Sequence, residues 1–263
     1  MLCNCIQQYE HVHMDVWSLE NQDQIERLYF ELSSESRLSI LRDLSKQAGK
    51  MREIARRLDL TTTEAFRQLQ RLSDAKLVQK NQEGAFSISE YGVLVLRFSR
   101  FFEFIHSHRE YLSTHNVRRI PYQFLDRIGE LSHADFSTDA MGNINAAERR
   151  TREAEEYMWG GGVEQPLDIR AAVQKNIPKG VKYKFLFPKR FIPRERVLPA
   201  SMVEWRSFED LPANFCLNEK EAGISFSYID GRVDYVSFVG KDPEFVSWVK
   251  DLYLYYWDKG KSP

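Results

Sequence analysis

At 263 residues, 43% of them hydrophobic and 29% charged, the chain is long enough for one or two cores and has an ordinary soluble globular composition. A formal net charge of −1 excludes a polycation that binds nucleic acid by bulk charge alone. Three cysteines, Cys3, Cys5 and Cys216, are odd in number and badly spaced for a disulfide framework, which points to a reducing, cytoplasmic setting. Apolar runs such as Val93-Leu94-Val95-Leu96 fall far short of a membrane span, and no signal peptide is visible, so no membrane partner is expected.

Residues 1–19 read as a flexible leader. They hold a C-x-C…H-x-H pattern, Cys3, Cys5, His11 and His13, whose thiolates and imidazoles suit zinc or copper. The spacing is not that of a zinc knuckle and the segment has few apolar residues to hold it, so no metal or other cofactor is assigned. A helix is expected from about Gln22 to Leu32, with Ile25, Leu28, Tyr29 and Leu32 on one face. Ser33-Ser34-Glu35-Ser36 breaks it and caps a second helix, Arg37 to Leu44, with Leu38, Leu41 and Leu44 inward.

The stretch from Met51 to Ile88 is the most informative. Ile54, Ala55 and Leu58 share one helical face, as do Ala65, Leu69 and Leu72 in the next helix. The joint Asp59-Leu60-Thr61 fits the turn of a helix-turn-helix, and Thr61 followed by Glu64 is a capping-box signature. Leu77 to Lys80 and Ala85 to Ile88 then flank a polar tip, Asn81 to Gly84, as a small hairpin or wing would. From Ser36 to Gln82, eleven basic side chains stand against five acidic ones, a local basic patch suited to phosphate contact. With Ala65, Leu69 and Leu72 inward, Thr62, Thr63, Arg67 and Gln70 or Arg71 face outward, and Arg67 is suited to fork onto a guanine. Lys80 and Asn81 sit at the wing tip, while Arg37, Arg52 and Lys50 lie near helix starts where they would clamp phosphates. For each residue singly, the competing reading is an ordinary solvated side chain.

After the wing, a long helix is expected from Ser89-Glu90 to about Tyr111. It carries more apolar surface (Val93, Leu96, Phe98, Phe101, Phe102, Phe104, Ile105) than one small domain covers. That surface packs either on the following domain or on a second copy, the latter matching two-fold operators.

From Arg119 the character changes. Phe124, Leu125, Ile128 and Leu131 suggest a short helix, His133 to Asn145 a loop, and Asn145 with Glu148 the cap of a charged helix to Tyr157. A helix from Pro166 to about Ile177 leads to a strand from Val181 to Phe187. Ile224 to Tyr228 alternates, Asp230-Gly231 marks a two-residue hairpin, and Arg232 to Val239 is its return strand. An aromatic helix from Pro243 closes the chain. Strand, helix and strand imply a small α/β unit.

Catalytic signatures fail there. H-E-x-x-H and G-x-S-x-G are absent, Gly260-Lys261-Ser262 has Tyr255 where a phosphate loop needs glycine, and Gln165 replaces the third glycine of a dinucleotide fingerprint. The six histidines fall mostly outside the unit, and Glu153, Glu155 and Glu156 read as a solvated helix face, so the chain is not expected to be an enzyme. Tyr157 and Trp159 near strand ends, with Lys189 and Arg190 directly after a strand, are candidates to hold a small anionic metabolite; core aromatics and surface charges are the alternative.

Ser36 to Gly92 resembles the winged helix-turn-helix of archaeal ArsR-like regulators, with Arg67 at their recognition-helix arginine. The remainder is similar to the archaeal methanogenesis-regulator family. The runs that carry this are Ile120-Pro121-Tyr122-Gln123-Phe124-Leu125-Asp126-Arg127-Ile128-Gly129, Glu156-Tyr157-Met158-Trp159, Gly180-Val181-Lys182-Tyr183, Asp230-Gly231-Arg232-Val233-Asp234-Tyr235 and Trp248-Val249-Lys250-Asp251-Leu252. The resemblance implies a dimeric transcription regulator with an effector domain like the phospholipase-D-like sensors of TrmB-type regulators. No H-x-K-x4-D occurs, so phospholipase activity is not carried over, and no C-x-C lies on the DNA-binding helices for ArsR-type metal sensing. The expected fold is thus α+β joined to α/β, a winged helix-turn-helix over 20–118 and a small α/β effector-type domain over 119–263. The expected function is sequence-specific double-stranded DNA binding as a homodimer. A protein-interaction adaptor, disfavoured by the basic patch, and an enzyme with a nucleic-acid-targeting domain are the alternatives.

Overall fold

The computed structural model describes residues 19–163, 179–192, 201–209 and 211–262, with side chains from Ile25 onward. Cys3, Cys5, His11, His13 and the expected helix from Pro166 to Ile177 lie outside the described residues. The chain forms two compact units that divide between Ser99 and Arg100, rather than near residue 118 where the composition changes. The reason is that Phe104 and Tyr111 are buried in the second core, with Phe101 and Ile105 packed against it.

In the first unit, α1 (Leu19–Leu32) and α2 (Glu35–Leu44) precede a two-residue strand β1 (Gly49–Lys50), then α3 (Met51–Arg57) and α4 (Thr62–Asp74). Strands β2 (Val78–Lys80) and β3 (Ala85–Ile88) follow, and α5 (Glu90–Ser107) begins in this unit. The sheet order is β1-β3-β2, antiparallel throughout, with Gly49 opposite Phe86 and Lys80 opposite Phe86 on its other side. β1 escaped the sequence reading because two residues carry no periodicity. The core is aliphatic, with Ile40, Leu41, Leu44, Ile54, Leu69, Leu72 and Leu77 buried. Tyr29, expected inside, is 57% exposed. Gly92 lies in the first turn of α5, where a Cβ would stand 2.1 Å from the Leu77 carbonyl oxygen.

The second unit continues with α6 (Arg109–Thr114), a 3-10 turn at Val117–Arg119, α7 (Tyr122–Leu125) and a 3-10 segment at Ile128–His133. The long helix expected to Tyr111 therefore breaks at His108, whose ring Nδ1 lies 2.9 Å from the Phe104 carbonyl oxygen. Next come β4 (Asp135–Ser137), α8 (Ala140–Glu153), β5 (Tyr157–Gly161), β6 (Lys182–Phe187), β7 (Val203–Ser207), β8 (Ala213–Asn218), β9 (Ala222–Phe226), β10 (Ser237–Gly240) and α9 (Pro243–Lys259). The segment from His133 to Asn145 is not a loop. It holds β4 and the start of α8, capped by Asp139 accepting from the Gly142 amide at 2.9 Å rather than by Asn145.

Seven strands form one sheet in the order β4-β10-β9-β8-β5-β6-β7; β5, β6 and β7 run parallel and the other pairs antiparallel. The turn at Asp230-Gly231 forms, with Gly231 at φ +86° and Tyr228 N–H donating to the Arg232 carbonyl, yet the ladder does not start there. β9 and β10 pair only from Phe238 opposite Ile224, so the expected strand from Arg232 is shortened to Ser237–Gly240. One face of the sheet is closed by α9. Asp242 caps that helix by accepting from the Glu244 and Phe245 amides, and Phe245, Trp248, Val249, Leu252, Tyr253, Tyr256 and Trp257 recur at helical spacing and are buried. The other face carries Met158, Tyr183, Phe185 and Phe187.

Candidate nucleic-acid interface

Helix α4 is positioned by both of its ends. At its start, the Thr61 hydroxyl accepts from the Glu64 amide at 3.1 Å, the N-cap half of the expected box. The Glu64 carboxylate does not reach back to Thr61; it accepts from the Ser36 hydroxyl on α2 at 3.0 Å, tying the two helices. Asp59, in the turn before it, has φ +52°, a conformation a short carboxylate side chain tolerates. At its end, Leu77 N–H donates to the Leu72 carbonyl and Lys76 N–H to that of Ser73, a Schellman pattern with Lys76 at φ +59°. With Ala65, Leu69 and Leu72 buried, Thr62, Thr63, Phe66, Arg67 and Gln70 are left outside.

The arginines of the basic patch divide into held and unheld groups. Arg37 is 6% exposed. Its Nε lies 2.8 Å from the Glu31 carboxylate, Nη2 donates to the Phe30 carbonyl at 2.7 Å and Nη1 to Gln68 Oε1 at 3.0 Å. This side chain ties α1, α2 and α4 together and is no phosphate clamp, because the carbonyl end of α1 and Glu31 attract it more strongly than solvent would. Burial lowers its pKa, against the opposing charge of Glu31. Arg71 is likewise bound to Glu31, Nη2 to Oε1 at 2.6 Å, which raises its pKa, and Arg57 forks onto Asp43. Gln70 donates to Asp74 at 2.8 Å.

Arg52, Arg56 and Arg67 are exposed and hold no ion pair among the described residues. Lys50 caps α3 and is exposed. In the wing, Lys80 is exposed with Nζ 5.4 Å from the Phe86 ring centroid. Asn81 accepts from the Ala85 amide at 2.9 Å through its side chain, so it builds the turn, with Gly84 at φ +83°. Sequence reasoning passed over Arg56 and Phe66. Phe66 is 58% exposed between Thr62 and Gln70, and its signal was an aromatic off the core spacing of an otherwise polar helix face.

The candidate effector residues do not converge. Tyr157 and Trp159 meet at a tilt, Trp159 stacks on Tyr253 of α9, and the Lys250 ammonium lies 5.1 and 5.3 Å from the Tyr157 and Trp159 ring centroids. Tyr157 pairs with Lys182 at the start of β6, whereas Lys189 and Arg190 follow its far end, roughly 20 Å along parallel strands. Arg190 donates to the Val163 carbonyl and covers Phe191. The four residues therefore do not form one pocket. Among the described residues, no cluster of three or more His, Cys, Asp or Glu could hold a metal ion, and no helix is long and apolar enough to cross a membrane.

No family model and no curated protein matches the chain. Among solved structures it is similar to TrmBL2, an archaeal chromatin protein whose structure shows a novel mode of DNA binding, at 12% identity over 82% of this chain and 88% of that one, with a TM-score of 0.43. It is also similar to the homodimeric winged helix-turn-helix domain of Mb0332 from Mycobacterium bovis, a possible ArsR-family regulator. That likeness is at 25% identity over 34% of this chain and 85% of that one, TM-score 0.32. NucT from Helicobacter pylori matches at 11% identity over 48% and 93%, TM-score 0.38. These scores are too low to carry an argument, and the winged-helix reading rests on the chain's own element order.

Proposed function

We propose that this chain is a transcription regulator that reads double-stranded DNA through α4 and grips it with the wing. The observation that supports this best is the sorting of charge on one small unit. Glu31 and Asp43 hold Arg37, Arg57 and Arg71, while Arg52, Arg56 and Arg67 stand exposed, as do Thr62 and Thr63. In this reading Arg67 forks onto a guanine, Thr62 and Thr63 meet base edges or phosphates, and Lys80, Arg52 and Arg56 contact the backbone. Phe66 meets a thymine methyl, the base-edge group that an exposed aromatic fits.

The same proposal makes the regulator a cytoplasmic homodimer whose second unit has the regulatory role. Support for the dimer comes from the part of α5 in the first unit, where Val93, Leu94 and Phe98 are 44–64% exposed. A contiguous apolar surface of this kind marks an association site, and a two-fold dimer calls for half-sites spaced about 10 bp or a multiple apart.

The test is selection of duplexes from a random pool, followed by fluorescence anisotropy on the selected and a shuffled duplex at two salt concentrations. Preference for the selected duplex that survives higher salt is the expected result. Equal, salt-abolished binding to both would overturn the reading.

A further inference from the structure

A cavity of about 110 Å³ lies in the second unit between α8 and the sheet face opposite α9. Its origin is legible in small residues. Gly160 on β5, Gly223 on β9 and Ala147 on α8 line it, leaving space where side chains would meet. A Cβ at Gly223 would stand 2.9 Å from Nη1 of Arg150, so the bare strand lets that guanidinium lie against the sheet. A Cβ at Gly160 would meet the Phe185 ring at 3.4 Å and the Met158 methyl at 3.6 Å, both ordinary contacts with side chains, so backbone packing does not demand glycine there and its effect is to keep the hollow open.

The cavity is mainly apolar, walled by Ile144, Phe185 and Val239, with a few converging polar groups. Arg150 is 3% exposed, and its buried Nε has no hydrogen-bond partner. Glu221 lies 3.4 Å away at ion-pair distance, but its shorter contact is to Arg149 at 2.8 Å. A buried charged donor without a hydrogen bond is costly, and such a group calls for an acceptor. Ser225 supplies a second donor. Its Oγ accepts from Asn214 Nδ2 at 3.2 Å, which leaves the hydroxyl hydrogen to point elsewhere. Gly223 and Ser225 alternate along β9, so the guanidinium resting on one and the hydroxyl of the other share a face of the sheet.

We propose that this cavity binds a short-chain carboxylate, its oxygens accepting from Arg150 and Ser225 and its alkyl tail packed among Ile144, Phe185 and Val239. Its volume is somewhat below that of a cavity known to take benzene, which limits the ligand to about six non-hydrogen atoms. Buried water could meet the donors but would leave the apolar wall without a partner, and the experiment separates the two occupants.

The full chain, labelled at isoleucine and methionine methyls, is titrated with butyrate and separately with 1-butanol while the Ile144 and Met158 resonances are followed by NMR. Saturable shifts with butyrate, and binding of butanol weaker by about tenfold or more, are expected from the loss of a charge-assisted hydrogen bond. Ala147→Leu, which fills the hollow while keeping Arg150, should abolish the butyrate shifts, and Ser225→Ala should weaken them severalfold. Absence of saturable shifts in the folded wild-type chain would overturn the site. Equal binding of butanol, or unchanged butyrate shifts in Ala147→Leu, would also overturn it. The readout does not involve DNA, so its outcome is independent of the DNA-binding proposal.

Discussion

The two units hold themselves together with different chemistry. The first unit's buried cluster is wholly aliphatic, Ile40 to Leu96, and makes no hydrogen bonds from its side chains. Its helices are tied instead by Glu31, Asp43, Glu64 and Arg37 around that cluster, Glu31 and Arg37 being buried themselves. The second unit's core is dominated by aromatics that keep a polar handle. Trp248 Nε1–H donates to the Phe124 carbonyl at 3.0 Å, Tyr253 to that of Lys184 at 2.8 Å and Tyr256 to that of Arg119 at 3.1 Å, and Tyr111 Oη accepts from the Phe226 amide at 2.8 Å. Buried phenols and an indole thereby fix helices to strands and to neighbouring turns from inside. An aliphatic core leaves alignment to charged ties at the periphery, and those ties decide which arginines are left for another molecule.

The contrast can be broken most severely at Trp248. Trp248→Ala should cost the second unit about 3–5 kcal/mol in urea unfolding, leaving binding to the selected duplex to the first unit. Arg37→Ala comes next, because it removes the hydrogen bonds to Phe30 and Gln68 and leaves Glu31 of α1 to Arg71 alone, and it should cost about 1–3 kcal/mol. Arg67→Ala, on the same unit, should change stability by no more than about 0.5 kcal/mol, yet lose about 1–3 kcal/mol of affinity for the selected duplex and relax specificity there. Equal loss on selected and shuffled DNA would remove Arg67 as a base reader.

Alkali should separate the units by their cores. Burial raises the Tyr256 pKa from 10.0 to about 12 and those of Tyr111 and Tyr253 upward as well. The unfolded chain loses these phenolic protons near pH 10 while the folded unit retains them, so stability present below pH 10 should be lost as pH rises through about 12. Urea midpoints measured across that range should fall for the second unit; a flat profile would contradict the buried phenols. Smaller effects sharpen the reading surface. Replacing thymines of the selected duplex by uracil should weaken wild-type binding at one position by a few-fold and leave Phe66→Ala indifferent, on the scale of about 1 kcal/mol. Lys80→Ala should weaken all duplexes alike and flatten the salt slope by about one unit.

What could be read from sequence follows the range of the forces involved. Thr61 capping Glu64, the Asn81-to-Gly84 wing tip and the i, i+3, i+4 aromatics of α9 are local, and all three appear where expected. Arg37 could not be placed, since Gln68 is 31 residues away and Glu31, though only six residues back, lies across a helix break and is equally able to face solvent. β4 is held by pairing with β10, and its three residues Asp135–Ser137 are too short to carry a period of their own. The Asp230-Gly231 turn formed for its local reason, but tertiary pairing placed the ladder elsewhere. The effector quartet failed because strand direction, invisible in composition, set Tyr157 and Lys189 at opposite ends.

Gly92 carries a consequence for inheritance. Its α carbon faces the Leu77 carbonyl so closely that even one methyl group would lift the first turn of α5 away from the strand leading into the wing. Its neighbour Tyr91 is exposed and meets no such wall. In a library randomised across these two codons and selected for operator binding, glycine alone should persist at 92 while 91 drifts freely. The pattern would look like a functional hotspot at a position whose constraint is packing.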